Sequence, residues 1–170
     1  MTNPARDNRA RVMSAAIAAA DESDVAYAQI KAKLAGHMRR LNLADESERP
    51  ALLSALLPQY DAYISAEIAA ATGRQNEVLL KLLTLKFLAG DVAGAMTIAE
   101  YAISSGMKYD GAESLAEYIA GNVVAQADAA GSAVLGRAVA ATTGKVPQQV
   151  AVSLSKALSL VLIDERAGAL

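Results

Sequence analysis

Asp110, Glu113 and Glu117 stand at steps of three and four. On a helix that spacing puts three carboxylates on one side, where they could hold a metal ion for hydrolysis. The structural alternative is a helix N-terminus, which favours acidic residues. Asp61 and Glu67 are six apart and would not face the same way on one helix. His37 is the only histidine, and a catalytic imidazole wants a nucleophile that the sequence does not identify. There is no PD-(D/E)xK-like spacing, no HNH-like set and no Walker A loop. The residues therefore assign no catalytic group, no metal ligand and no cofactor.

The basic residues are more informative. Residues 1–44 hold seven Lys or Arg against four acids, a balance of +3, while the rest of the chain carries −5. Arg6, Arg9 and Arg11 form a basic arm. Between residues 24 and 42, Tyr27, Ile30, Leu34, Met38 and Leu41 recur at helical spacing as one apolar stripe. Lys33 and Arg40 run along another side with Gln29 and Gly36, His37 lies on the flank, and Lys31 and Arg39 complete the basic set. Such a ridge could lie along phosphates. It could equally be a solvated helix face, and nothing in it specifies base readout.

Helices must position these residues, because no stretch alternates like a strand. The spacing predicts a first helix over about 8–20, stopped by the acidic "DESD", and a second over about 24–42 capped by Asp24. Ser47 could cap a short helix with Pro50 in its first turn, and Pro58 kinks the next pattern or opens a helix to about Thr72. Further helices are expected near 75–89, 91–105, 112–129, 131–143 and 147–163, with Gly73, Gly90, Gly106 and Gly144 as C-caps. The expected fold is all-α, a bundle of about seven or eight helices. Residues 1–44 would form the basic arm and helix, and residues 45–170 a core of antiparallel helical hairpins.

The clearest hairpin is "LTLKFLAGDVAGAMTIAEYAISSGM", residues 83–107. Gly90 can end one helix in a left-handed conformation, and Asp91 can cap the next. The small Ala95, Ala99 and Ala102 allow close helix packing, and the pattern resembles the second helix of a tetratricopeptide unit. An echo follows 74 residues later, where "VSLSKALSLVLIDERAGAL" aligns with "VLLKLLTLKFLAGDVAGAM". If the echo is real, the chain stops about one turn into a second helix, too short to bury a face. The core would then be truncated at its C-terminus, with residues 164–170 frayed or docked on another subunit.

Composition excludes several classes. The chain has no cysteine, so it has neither disulfides nor thiolate metal sites. No apolar run approaches the roughly 20 residues that span a bilayer, and "MTNPARDNRARV" lacks the apolar core of a signal peptide. The expectation is a soluble, cytoplasmic protein without membrane contact.

The N-terminus "MTNPARDNRARVMSAAIAA" and the segment from Leu56-Leu57-Pro58 to Gly106 resemble the terminase small subunit of Peduovirus-type tailed phages, also labelled the terminase endonuclease subunit. Gly90-Asp91, Val92-Ala93-Gly94-Ala95 and Ala99-Glu100-Tyr101-Ala102-Ile103-Ser104-Ser105-Gly106 carry the likeness, and "VPQQVAVSLSKALSLVL" is similar to the family's last hairpin. The resemblance implies a DNA-packaging protein in the cytoplasm of a bacterial host. Its partners would be double-stranded viral DNA, a large terminase subunit carrying the ATPase motor, and further copies of itself, often in a ring. Family members run on into a Lys/Arg-rich tail that this chain stops before. Two other readings stay open: a metal-dependent endonuclease that cuts the packaging site itself, and a helical scaffold that binds only protein.

Overall fold

In the computed structural model the backbone is described for residues 4–168 and the side chains for residues 24–168. Among these residues every regular element is helical: α1 (Pro4–Leu43), α2 (Arg49–Leu56), a 3₁₀ turn (Leu57–Tyr60), α3 (Asp61–Ala70), α4 (Glu77–Leu88), α5 (Val92–Ser104), α6 (Leu115–Ala125), α7 (Ala127–Thr142) and α8 (Gln148–Ala167). The chain divides into two units, residues 1–45 and 46–170.

The first unit is one helix where two were expected. Residues 21–24, the "DESD" stretch, are helical and Asp24 caps nothing. Aspartate, glutamate and serine cost a few tenths of a kcal/mol each in a helix interior, and without Gly or Pro they do not stop one. The helix ends where "ADESERP" supplies polar turn residues ahead of Pro50. Tyr27, Ile30, Leu34, Met38 and Leu41 are its less exposed side, with Leu34 and Leu41 buried.

In the second unit α4 and α5 are the centre. Leu79, Leu82 and Leu83 of α4 and Ala95, Met96, Ile98, Ala99 and Ala102 of α5 have no exposed surface. The corner between them follows from three residues. Gly90 takes φ 75°, and the Asp91 and Gly90 N–H groups donate back to the carbonyls of Lys86 (2.9 Å) and Phe87 (3.0 Å), which closes α4 as a Schellman motif. The Asp91 carboxylate then accepts from the Gly94 N–H at 2.9 Å and opens α5. A Cβ on Gly94 would collide with that carboxylate, which is why the glycine of "VAGA" sits three residues after the cap. Gly106, at φ 64°, closes α5 in the same way, with Met107 N–H on Ala102 C=O at 2.9 Å.

The echo of this corner does not fold alike. α8 runs without interruption through Asp164, Glu165 and Arg166 to Ala167. Asp164 occupies the position equivalent to Gly90 and no residue there takes a positive φ. The expected fraying from residue 164 is absent as far as Ala167. The hairpin is therefore not repeated among the described residues.

Other boundaries differ for local reasons. Glu48, not Ser47, is the N-cap residue of α2, with no side-chain hydrogen bond, although Pro50 does fall in the first turn. Pro58 lies in the 3₁₀ turn and α3 begins at Asp61. α3 closes on Ala71 (φ 47°), two residues before Gly73. A break falls at Gln126, and the break expected near residue 130 is met at Gly131, whose non-helical backbone (φ 72°, ψ 165°) interrupts α7. Just past it, Ser132 donates from its N–H (3.0 Å) and hydroxyl (2.6 Å) to the Glu165 carboxylate, tying α7 to α8.

Two loops are pinned together at one end of this unit. The Gln75 amide donates to Lys108 C=O and accepts from Lys108 N–H, both at 2.8 Å. The Gly73 N–H donates to the Tyr101 hydroxyl at 3.2 Å.

Candidate nucleic-acid interface on helix α1

At 3.6 residues per turn, Lys33, His37 and Arg40 fall on one side of α1. Lys33 and Arg40 are exposed and His37 is half-buried. Partial burial lowers the His37 pKa, and the positive charges of Lys33 and Arg40 lower it further. The i, i+4, i+7 spacing of the three residues makes them one ridge. At neutral pH the ridge therefore carries the charges of Lys33 and Arg40 around a neutral imidazole.

Of the other predicted residues with described side chains, Lys31 and Arg39 lie off this ridge. Lys31 is exposed across the apolar stripe from Lys33, and Arg39 lies on the far side. The Arg39 Nε donates to Ala35 C=O at 3.4 Å, so its guanidinium folds back along the helix. Arg6, Arg9 and Arg11 lie on α1 but outside the residues whose side chains are described. Of the eight predicted residues, three thus share one side of α1, two are exposed on other sides, and three lie on the arm without described side chains.

Glu117, Asp61 and Glu67 of the second unit are taken up by local structure. Glu117 completes a capping box at the start of α6: Ser114 Oγ accepts from its N–H, and its carboxylate accepts from the Ser114 N–H (3.0 Å) and hydroxyl (2.6 Å). These bonds hold the Glu117 pKa below its ordinary value. Asp110 and Glu113 are exposed in the preceding loop. Asp61 faces the Lys86 ammonium at 3.4 Å, whereas Glu67 accepts from Asn76 Nδ2 at 3.0 Å. Among the described residues no three His, Cys, Asp or Glu side chains come together as metal ligands.

Sequence reasoning missed three polar contacts that fix this unit. Lys86 is buried and bonds Asp91 at 2.8 Å across the corner. Burial would lower the lysine pKa, but the carboxylates of Asp91 and Asp61 outweigh it and raise it. Asn76 caps α4 by accepting from Leu79 N–H (3.0 Å) while donating to the Tyr63 hydroxyl (2.8 Å); an Asn just ahead of an apolar run was the available signal. Arg137 of α7 grips Glu100 of α5 with two bonds of 2.8 Å, a pair 37 residues apart with no local signature.

Fold and site together define an all-α protein with a charged ridge on a long helix and no assembled catalytic group among its described residues. Comparison with known proteins narrows this. The family model of the phage small terminase subunit matches residues 31–151. The chain is also 30% identical, over an alignment 187 positions long, to the terminase, endonuclease subunit of Escherichia phage P2, which covers 100% of this chain and 76% of that protein. No solved structure matches. The chain belongs to the phage small terminase subunit family, and with it to the machinery of viral DNA packaging. The matched residues include the Lys33–His37–Arg40 ridge and exclude the arm of Arg6, Arg9 and Arg11. Among the described residues no helix is long and apolar enough to cross a membrane.

Proposed function

We propose that this chain is the non-catalytic, DNA-recognising subunit of a phage packaging terminase. It binds double-stranded viral DNA through the Lys33–His37–Arg40 ridge and presents it to a large terminase subunit. That ATPase partner cuts the DNA and drives it into the procapsid. The chain acts as a homo-oligomer in the host cytoplasm. The observation that carries the reading is the placement of Lys33, His37 and Arg40 on one side of a helix, inside the part of the chain that matches a packaging family.

The test is binding of the full chain to duplex DNA bearing the packaging site, followed by fluorescence anisotropy over a salt series. The double variant Lys33→Glu/Arg40→Glu is expected to bind at least tenfold more weakly. Its salt slope should fall by about 2, one unit for each lost phosphate contact. Unchanged affinity would make the ridge a solvated face. Lowering the pH through the His37 pKa should strengthen binding, because phosphates favour the protonated imidazole.

The printed name of the phage P2 relative favours a second reading, an endonuclease. It predicts that the chain alone cuts packaging-site DNA with Mg²⁺ and loses this on substitution of Asp110, Glu113 or Glu117. Absence of cutting without the large subunit is the outcome expected here.

A further inference from the structure

The α1 ridge is basic, whereas the last two helices carry a site of opposite character. A cavity of about 480 Å³ opens between the start of α7 and the end of α8, lined by Asp128, Leu160, Val161, Ile163, Asp164 and Glu165. That volume falls in the range of small-ligand sites. Leu160 and Val161 stand four and three residues before Asp164, so one side of α8 presents aliphatic side chains and a carboxylate together. The α8 part of the cavity lies beyond the segment that the family model matches.

The three carboxylates differ in their commitments. Glu165 is fixed by Ser132, which donates to it from its N–H at 3.0 Å and its hydroxyl at 2.6 Å. The side chains of Asp128 and Asp164 are exposed and make no hydrogen bond or ion pair among the described residues. Asp164 stands in the last turn of α8, where the helix carbonyls add negative potential. Arg166 is turned about 200° from Asp164 around the helix, so its side chain leaves from another side. The site therefore favours a cation, and its geometry selects the kind. The carboxylates do not come together closely enough to share a metal ion, and a hard cation wants oxygen ligands, not an aliphatic wall. An alkylammonium chain suits both surfaces, with methylenes on the aliphatic side chains and charged ends at separate carboxylates.

We infer that this cavity binds a linear aliphatic polyamine. Its methylene chain lies over Leu160, Val161 and Ile163, one ammonium group pairs with Asp164, and another pairs with Asp128. Glu165 holds the cavity wall through Ser132. Such a ligand bridges α7 and α8 and stabilises the folded chain in proportion to its occupancy. The aliphatic floor separates this site from an acidic patch, which would attract any counterion. The inference goes beyond the DNA-binding reading, because the ligand is a cation and the residues belong to the second unit.

The test is isothermal titration calorimetry of the full chain, without DNA, against spermidine, the diamine cadaverine, the monoamine pentylamine and MgCl₂. Spermidine and cadaverine are expected to bind one per chain with a Kd of about 1 mM or tighter. Pentylamine should bind at least fivefold more weakly than cadaverine, and equimolar Mg²⁺ should not displace either polyamine. Asp128→Asn and Asp164→Asn should each weaken cadaverine binding at least fivefold. Leu160→Asn should weaken it too and narrow the preference for cadaverine over Mg²⁺. Glu46→Gln removes an exposed carboxylate outside the cavity and should leave the affinity unchanged. Circular dichroism checks that each variant keeps its helicity, and the wild-type ligand series decides alone if one does not. No binding of spermidine or cadaverine up to about 10 mM overturns the inference. Displacement by equimolar Mg²⁺, or equal weakening by Glu46→Gln, would mean diffuse counterion attraction and also overturns it. Because no DNA is present, failure of the DNA-binding reading would leave this result standing.

Discussion

Residues 78–96 and 152–170 carry almost the same apolar pattern and end in the same Ala-Gly-Ala, yet one folds into a corner and the other, as far as Ala167, into a straight helix. The difference lies in the polar residues between the matching apolar ones. At the first site Gly90 turns the chain, Asp91 caps the next helix and Lys86 bonds Asp91. At the second, the equivalent positions are Asp164, Glu165 and Leu160. An apolar pattern decides which side of a helix is buried. Where the helix stops depends on a residue that accepts positive φ and on a side chain that receives the next helix's free N–H groups.

The comparison breaks first at Asp91. Asp91→Ala removes a cap worth about 1 kcal/mol and leaves the buried Lys86 ammonium with only the longer contact to Asp61. Loss of a partner from a fully buried pair costs about 3–5 kcal/mol. The Asp91 side chain is 43% exposed, and solvent screening reduces that share, so urea unfolding of the full chain should show a loss of about 2–3 kcal/mol. Asp91→Asn keeps a capping oxygen and discards the charge, and should lose about half as much.

The same pair sets a pH dependence. Burial alone would raise the Asp91 pKa, but the hydrogen bonds from Lys86 and the Gly94 N–H outweigh it and hold the pKa below the ordinary aspartate value. A depressed folded-state pKa gives stability that is present above the ordinary aspartate value and is lost as pH falls through the folded one. The gap between wild type and Asp91→Asn should therefore be constant near neutrality and close in acid. Lys86, raised in the folded state, contributes up to the ordinary lysine value and fades only above it. A gap that persisted in acid would mean that the stability lost in Asp91→Asn does not come from the carboxylate charge.

Gly90→Ala tests the turn without touching the charges. A Cβ there meets nothing within 4 Å, so the cost is backbone strain, about 1–2 kcal/mol for an L-residue in the left-handed region. The smallest effect is expected at the echo. Asp164→Gly gives α8 the missing glycine but not the cap or the lysine, and should cost about 0.3 kcal/mol, the difference in helix propensity between aspartate and glycine. If an NMR structure of this variant showed a left-handed residue at 164 and a reversed chain, glycine alone would suffice and the account given for Asp91 would be wrong.

The parts of the fold governed by neighbours in sequence were legible. Gly90, Asp91 and Gly106 marked their boundaries, because caps and turns are local chemistry. The acidic "DESD" misled because acids are common in turns without being helix breakers, and "DERAGAL" misled because apolar spacing resembles a corner that its polar residues do not make. Ala71 in the left-handed region and the Glu100–Arg137 clamp had no local signal at all. In the candidate site the spacing of Lys33, His37 and Arg40 was readable as one side of a helix. The same spacing already set Arg39 beyond that side, whereas Lys31 was included as part of the basic set.

Gln75 bears on motion. Its side-chain amide pairs with both backbone groups of Lys108, as an adjacent β-strand would, and Gly73 adds a second tether to Tyr101. Opening the loop after α3 or the loop after α5 alone therefore breaks these hydrogen bonds, each worth about 1 kcal/mol. Within α7 the helical backbone is interrupted at Gly131, and the Ser132–Glu165 hydrogen bonds tie the turn that follows it to α8.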